Sequence, residues 1–277
     1  MKRERIRGWI IGVLAILASV IVFLVPFAFI FLTAAKSGPE AADFQFSLPT
    51  TWQLWDNIKE VLTVRQFVVL RAFINSTQLT IFSVGIMVVL SAMIGYVLQR
   101  RRSRLNPLVN FLILAGLIIP PAVVPTIWVL QEIGLFKQMV GMILVNVAFG
   151  IPFCVLLFRA FVSSIPRELD EAAVVDGASP LRLFFSVILP LLKPVVITVI
   201  VVQAVAVFND FTGPLYFLPG NENVTVQLTL YNFQGQMLSQ WHLLFTNILL
   251  ITIPPLVMYI FFNRQIVAGM TSGAVKG

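Results

Sequence analysis

Residues Pro166 to Pro194 read PRELDEAAVVDGASPLRLFFSVILPLLKP, and this stretch decides how the rest of the chain is read. Six ionisable side chains fall within it between Arg167 and Arg182: Arg167, Glu168, Asp170, Glu171, Asp176 and Arg182. Each costs roughly 2.5–3.5 kcal/mol at the centre of a bilayer, so the segment is expected outside the membrane. Its punctuation is nonetheless helical. Ser164 and Pro166 read as start signals, and Glu168, Asp170 and Glu171 put negative charge where a helix N-terminus favours it. Gly177 suits the left-handed residue that closes a helix. Ser179-Pro180 then reads as an N-cap with proline at the first helical position, and Pro190 as the stop of the second helix. The prediction is a helix–turn–helix between two apolar spans, available for docking.

Composition places the spans. Of 277 residues 58% are hydrophobic and only 11% charged, and several uncharged runs exceed the ~18 residues that mark a membrane-crossing helix. The fold class expected is an all-α polytopic membrane protein. Its spans fall at about residues 9–33, 73–98, 107 onward, 142–161, 194–218 and 243–262. Pro120, Pro121 and Pro125 break or bend the third of these. The uncharged run from Gly8 to Ala35 is far longer than the ~7–15 residues of a cleaved signal peptide, so it reads as a retained first span. Trp52 and Trp55 fit an interfacial belt or a short surface helix.

Charge gives an orientation. With six spans, fourteen of the nineteen lysines and arginines fall on the side of the N-terminus and five on the other. The positive-inside rule then puts both termini and the helix–turn–helix in the cytoplasm. The net charge of +7 follows from that distribution and does not indicate nucleic-acid binding. A single cysteine, Cys154, gives no intrachain disulfide, and the lone His242 argues against a metal centre or a histidine-based triad. None of the six lysines follows a glycine, as a phosphate-cradling Walker A loop requires, so no nucleotide cofactor is expected on this chain.

On a helix, Leu169, Ala172, Ala173 and Asp176 share one face. The two alanines would leave a low surface for a partner's backbone, with Glu171 and Asp176 as a charged rim. The segment Glu171-Ala172-Ala173, Asp176-Gly177-Ala178, Phe184, Leu189-Pro190 and Pro194 closely resembles the EAA loop of inner-membrane permease subunits in binding-protein-dependent ABC importers. Asn75-Ser76, Asn209-Asp210-Phe211 with Pro214-Leu215, and the tail from Gly269 to Gly277 are similar to the carbohydrate, six-span maltose-type branch, with Phe208 standing where that branch has tryptophan. The resemblance covers essentially the whole chain.

It implies a type I importer fold in one permease domain over residues 1–277. Residues 1–72 would form the first span and an extracytoplasmic segment, and residues 73–265 the core with its loop at 162–194. Residues 266–277 would be a cytoplasmic tail. It also implies that Glu171, Ala172, Ala173, Asp176 and Gly177 couple the chain to two ATPase subunits, which bind ATP and Mg. The further partners implied are a second, different permease, an extracytoplasmic solute-binding protein and a carbohydrate-like solute, in a bacterial inner membrane. Candidates for the solute path are Asn75, Gln78, Gln203, Asn209 and Asp210, polar groups inside or at the ends of spans; interhelical hydrogen bonding is the alternative for each. The rival class is a stand-alone channel or ion-coupled secondary transporter. It would need carboxylates near the bilayer midplane, and every carboxylate here lies in a loop or near a span end.

Overall fold

The computed structural model describes residues 2–220, 222–230 and 240–274; side chains at 2–8, 10, 65 and 264–274 are not described. Among the described residues there is no strand. The helices are α1 (Lys2–Ala34), α2 (Gly38–Ala42), α3 (Leu54–Arg100), α4 (Asn106–Ile118), α5 (Val123–Glu132), α6 (Met139–Val162), α7 (Glu168–Val175), α8 (Pro180–Leu183), α9 (Leu189–Leu191), α10 (Lys193–Phe208), α11 (Thr212–Phe217) and α12 (Trp241–Ala274). Four segments are long and apolar enough to cross a membrane: Ile11–Ala34, Gln66–Arg100, Met139–Val162 and Trp241–Asn263. Two bent pairs bring the count to six, α4 with α5 at 118° and Pro180–Leu191 with α10 at 78°. The first of these breaks falls at the expected proline cluster, because residues before and at prolines leave the helical hydrogen-bond ladder.

Several boundaries differ from the sequence reading. The second span is the end of a 47-residue helix that begins at Leu54, so Trp55 belongs to its first turn. Gln66 and Phe67, at φ of 57° and 62°, interrupt the regular helix where the membrane-length segment begins. Ser164 does not start α7; its hydroxyl donates back to Phe161 O at 2.7 Å and finishes α6 instead. Pro190 lies in the last turn of the second helix of the helix–turn–helix, which ends one residue later at Leu191. A π-helical turn at Phe184–Ile188 precedes it, with Leu189 N donating to Phe184 O, and the wider turn accommodates a ring that would clash with an α-helical carbonyl. The fifth span is a 16-residue helix followed by a break at Asn209–Phe211 and the short α11. The segment read as a tail starts as a continuation of α12, helical to Ala274, while residues 275–277 lie outside the described ones.

The chain divides into two compact units, Met1–Arg71 with Thr229–Ile253 and Ala72–Leu228 with Pro254–Gly277. In the first unit α1 is bare, its membrane-length window 0% buried, which suits a helix surrounded by lipid. The turn after it is tied down. Buried Asn57 donates through Nδ2 to Ala34 O and Lys36 O, each at 2.9 Å, which satisfies carbonyls that the end of α1 leaves open. Lys36 is 1% exposed, its Nζ donating to Gln45 O at 2.7 Å and Ser47 Oγ at 3.0 Å. It holds that turn from inside; it is not a solvated loop charge.

In the second unit, α6 packs on α4, α10 and α11. Phe158, Met142, Leu79, Met87, Ile188 and Leu192 are fully buried side chains of one continuous core. Gly95 lets α3 and α6 approach closely: a Cβ there would stand 2.9 Å from Phe158 Cβ and 3.0 Å from Arg159 N.

Candidate functional site

The helix–turn–helix is built as its residues dictate at the turn. Gly177 takes φ 78°, Ala178 N donates to Ala173 O at 2.9 Å and Gly177 N to Val174 O at 3.0 Å. This pair of bonds closes α7 in a Schellman arrangement, which a left-handed glycine permits without a Cβ clash. Ser179 Oγ then accepts from Arg182 N at 3.4 Å, capping α8 with Pro180 in its first turn.

What fixes the motif in place was not visible in the chain order. Asp170, in the first turn of α7, pairs with Arg100 at the end of α3 at 2.9 Å, with both side chains mostly buried. Tyr96 Oη donates to the same carboxylate. Arg100 also donates to Ile165 O at 2.9 Å, and Arg167 to Gln99 O at 3.4 Å. Nearby, Arg159 near the end of α6 donates to Asn110 Oδ1 at 2.7 Å and Gln99 Oε1 at 3.3 Å. Charge-assisted bonds of this kind tie the end of α3 to the start of α7, and α6 to α3 and α4.

The five residues singled out in α7 and its turn do not all face outward. Glu171, Ala172, Asp176 and Gly177 are exposed, whereas Ala173 is buried in the core of its own unit. The outward face therefore runs through Glu168, Glu171, Ala172 and Val175, a spacing of three and four. Val175 is 86% exposed, and Val174 and Leu181 are 60% and 61% exposed. This short helix thus exposes apolar side chains beside carboxylates.

The polar residues proposed for a solute path separate into two groups. Asn75 donates through Nδ2 to Val224 O at 3.0 Å and Glu222 O at 3.4 Å, and neighbouring Ser76 Oγ accepts from Val226 N at 3.0 Å. Asn209 Oδ1 accepts from Gln227 at 3.1 Å while its amide donates to Val205 O at 3.0 Å. Both asparagines thus hold the segment 222–227. Asp210 Oδ1 accepts from Gly213 N at 3.0 Å and organises the start of α11, where a Cβ on Gly213 would strike that carboxylate and Met142. Gln203 lies apart and is buried. Gln78 is exposed. Asn75→Leu is expected to free Glu222–Val226 locally by about 1–3 kcal/mol, seen as faster amide exchange there and no change in α7.

Comparison with known proteins follows the same lines. Residues 87–272 match the family model described as the binding-protein-dependent transport system inner membrane component. The melibiose/raffinose/stachyose import permease protein MelC of Bacillus subtilis is 33% identical over 209 residues, covering 74% of this chain and 76% of its own length. The diacetylchitobiose uptake system permease protein NgcG of Streptomyces coelicolor is 31% identical over 267 residues, covering 95% and 87%. Among solved structures, a chain of a bacterial ABC transporter involved in the import of the acidic polysaccharide alginate superposes with TM-score 0.81 at 22% identity, covering 95% of this chain and 98% of that one. That likeness gives the fold: the helical, multi-span arrangement of a type I importer permease.

Proposed function

The chain belongs to the family of binding-protein-dependent transport system inner membrane components, and from that premise we propose that it is the permease subunit of an ATP-driven importer for a carbohydrate or a related polar solute. The sugar-type cargo of MelC and NgcG supports the solute class. The partners in this reading are two ATPase subunits that carry ATP and Mg, a second and different permease, and an extracytoplasmic solute-binding protein. A solved alginate transporter of the same fold is in complex with an alginate pentasaccharide-bound periplasmic protein, which supports the last of these. Both termini and the helix–turn–helix lie in the cytoplasm in this reading, as the distribution of arginine and lysine favours. The membrane is a bacterial cell membrane, and closure of the ATPases drives alternating access.

The observation that carries the coupling role is the carboxylate-rimmed face of α7, outward through Glu171 and Ala172 while Asp170 locks its other side to Arg100. A push on that face is transmitted to the ends of α3 and α6 through the hydrogen-bonded corner. Glu171 is exposed, so its removal costs the fold almost nothing. Glu171→Ala is therefore expected to leave membrane insertion intact and to cut both ATPase co-purification and ATP-driven uptake several-fold. Unchanged uptake and unchanged co-purification would remove Glu171 from the coupling role.

A further inference from the structure

A groove of about 440 Å³ runs between the end of α3 and the start of α4. Its walls are Met93, Ile94, Val97, Leu98, Leu105 and Val109. Val97 and Leu105 are 48% and 64% exposed, so the groove opens sideways from the spans and not into the core. At one end the walls change character abruptly to Arg101, Ser103 and Asn106. The turn that carries these polar residues is tied: Asn106 Nδ2 donates to Arg101 O at 2.7 Å, and Leu105 N donates to Ser103 Oγ at 3.2 Å.

From this geometry we infer that the groove is a binding site for an anionic membrane phospholipid, with an acyl chain along the apolar walls and the headgroup phosphate at Arg101. Four arginines fall within residues 100–104, and Arg100 alone is neutralised, by Asp170. No carboxylate lies within ion-pair distance of Arg101, Arg102 or Arg104 among the described residues. The mouth is thus cationic with nothing to balance it, which selects an anionic headgroup over a zwitterionic one, and a guanidinium recognises phosphate in two-point geometry. Two other lateral grooves among the described residues lack this combination, and in a third Arg100 and Arg167 lie beside the carboxylates of Asp170 and Glu171. Those lined by Pro125 to Phe149 and by Ile81 to Leu90 hold no charged residue. A water-soluble partner would have to enter the hydrocarbon to fill these walls, whereas a lipid is already there; a second membrane-spanning subunit seated in the groove is the competing occupant that cross-linking detects. The inference rests on the membrane-spanning character of the chain and not on the transport reading. Because Arg101 adjoins Arg100, an occupied groove stiffens the same corner that holds α7.

The test uses the full chain, with whatever subunits co-purify, stripped of lipid and titrated with dioleoylphosphatidylglycerol and dioleoylphosphatidylcholine by native mass spectrometry. The wild type is expected to prefer the anionic lipid by about five-fold or more, and Arg101→Gln to lose about five-fold of that affinity with phosphatidylcholine binding unchanged. Equal affinities in the wild type, or a variant indistinguishable from it, overturn the site. Should the variant not accumulate, a photoactivatable phosphatidylglycerol in membranes holding the wild type decides. Adducts on residues 93–109 support the site. Adducts concentrated elsewhere, or a groove cross-linked to a protein subunit in place of lipid, overturn it.

Discussion

Asp170→Ala is expected to detach α7 from the end of α3 and to reduce ATP-driven uptake about ten-fold or more, while the spans still insert. The carboxylate is 16% exposed and its partner Arg100 is 12% exposed, at 2.9 Å. Removing one member of a fully buried pair typically costs about 3–5 kcal/mol, because the other charge is left without a counterion. Partial solvent access here brings the expected cost nearer about 2 kcal/mol, still more than a factor of ten in the population of docked α7. The loss is expected to stay near α7, which contributes only Ala173 to the core around Phe158 and Met142. Hydrogen exchange in residues 165–183 should accelerate in Asp170→Ala and equally in Arg100→Ala, without change in α10. Combining the two replacements should cost less than the sum of the single effects, since each alone strands a charge. Asp170→Asn, which keeps an acceptor for Tyr96, should fall between wild type and Asp170→Ala. Exchange rates that stay at wild-type values in residues 165–183 would show that the corner does not hold α7.

The second large effect is steric. Gly95→Leu should prevent accumulation of folded protein, and Gly95→Ala should destabilise it by about 1–3 kcal/mol. The added Cβ meets Phe158 Cβ and the backbone nitrogen of Arg159, so α3 and α6 must separate. Backbone cannot yield as a flexible side chain does. Gly85 offers the control on the same helix, because a Cβ there meets nothing within 4 Å. Gly85→Ala should leave stability unchanged or raise it by up to about 1 kcal/mol through helix propensity. Thermal denaturation of the detergent-purified variants, followed by fluorescence-detected gel filtration, separates the two glycines. Equal behaviour would mean that α3 and α6 do not meet at Gly95.

Much of the architecture was legible because it is written locally. Apolar length marks the spans, Pro120, Pro121 and Pro125 mark the bend, and Gly177 with Ser179-Pro180 marks the turn between α7 and α8. Each of these signals acts within a few residues. Pro190 marks the end of the second helix to within one residue, and what it did not announce is the π turn starting six residues earlier, with Phe184 and Ile188 buried in the core. Ser164 misled because a serine between two helices can serve either, and here it bonds backwards to Phe161. Ala173 shared a helical face with Ala172 in projection, yet the docking of α7 against its own unit turns it inward.

The contacts that define the candidate sites were the least legible. Arg100 and Asp170 are 70 residues apart, and nothing in the composition of either neighbourhood selects that pairing. Arg100 read only as one of a run of arginines obeying a topological rule. Asn75 and Asn209 were recognised as polar groups in apolar surroundings, but nothing showed that both would meet residues 222–227, which for Asn75 means Val224, 149 residues further along the chain. Lys36 counted only as one of the five cations opposite the N-terminal side, because burial of a lysine leaves no local trace.

The most direct test of the central claim is to tag the chain, extract it gently from its native membrane and identify what co-purifies. A P-loop ATPase and a second permease are expected, with solute uptake in reconstituted vesicles that requires ATP and a binding protein. A homo-oligomer that moves solute without ATP would contradict that claim and would make this chain a stand-alone transporter or channel.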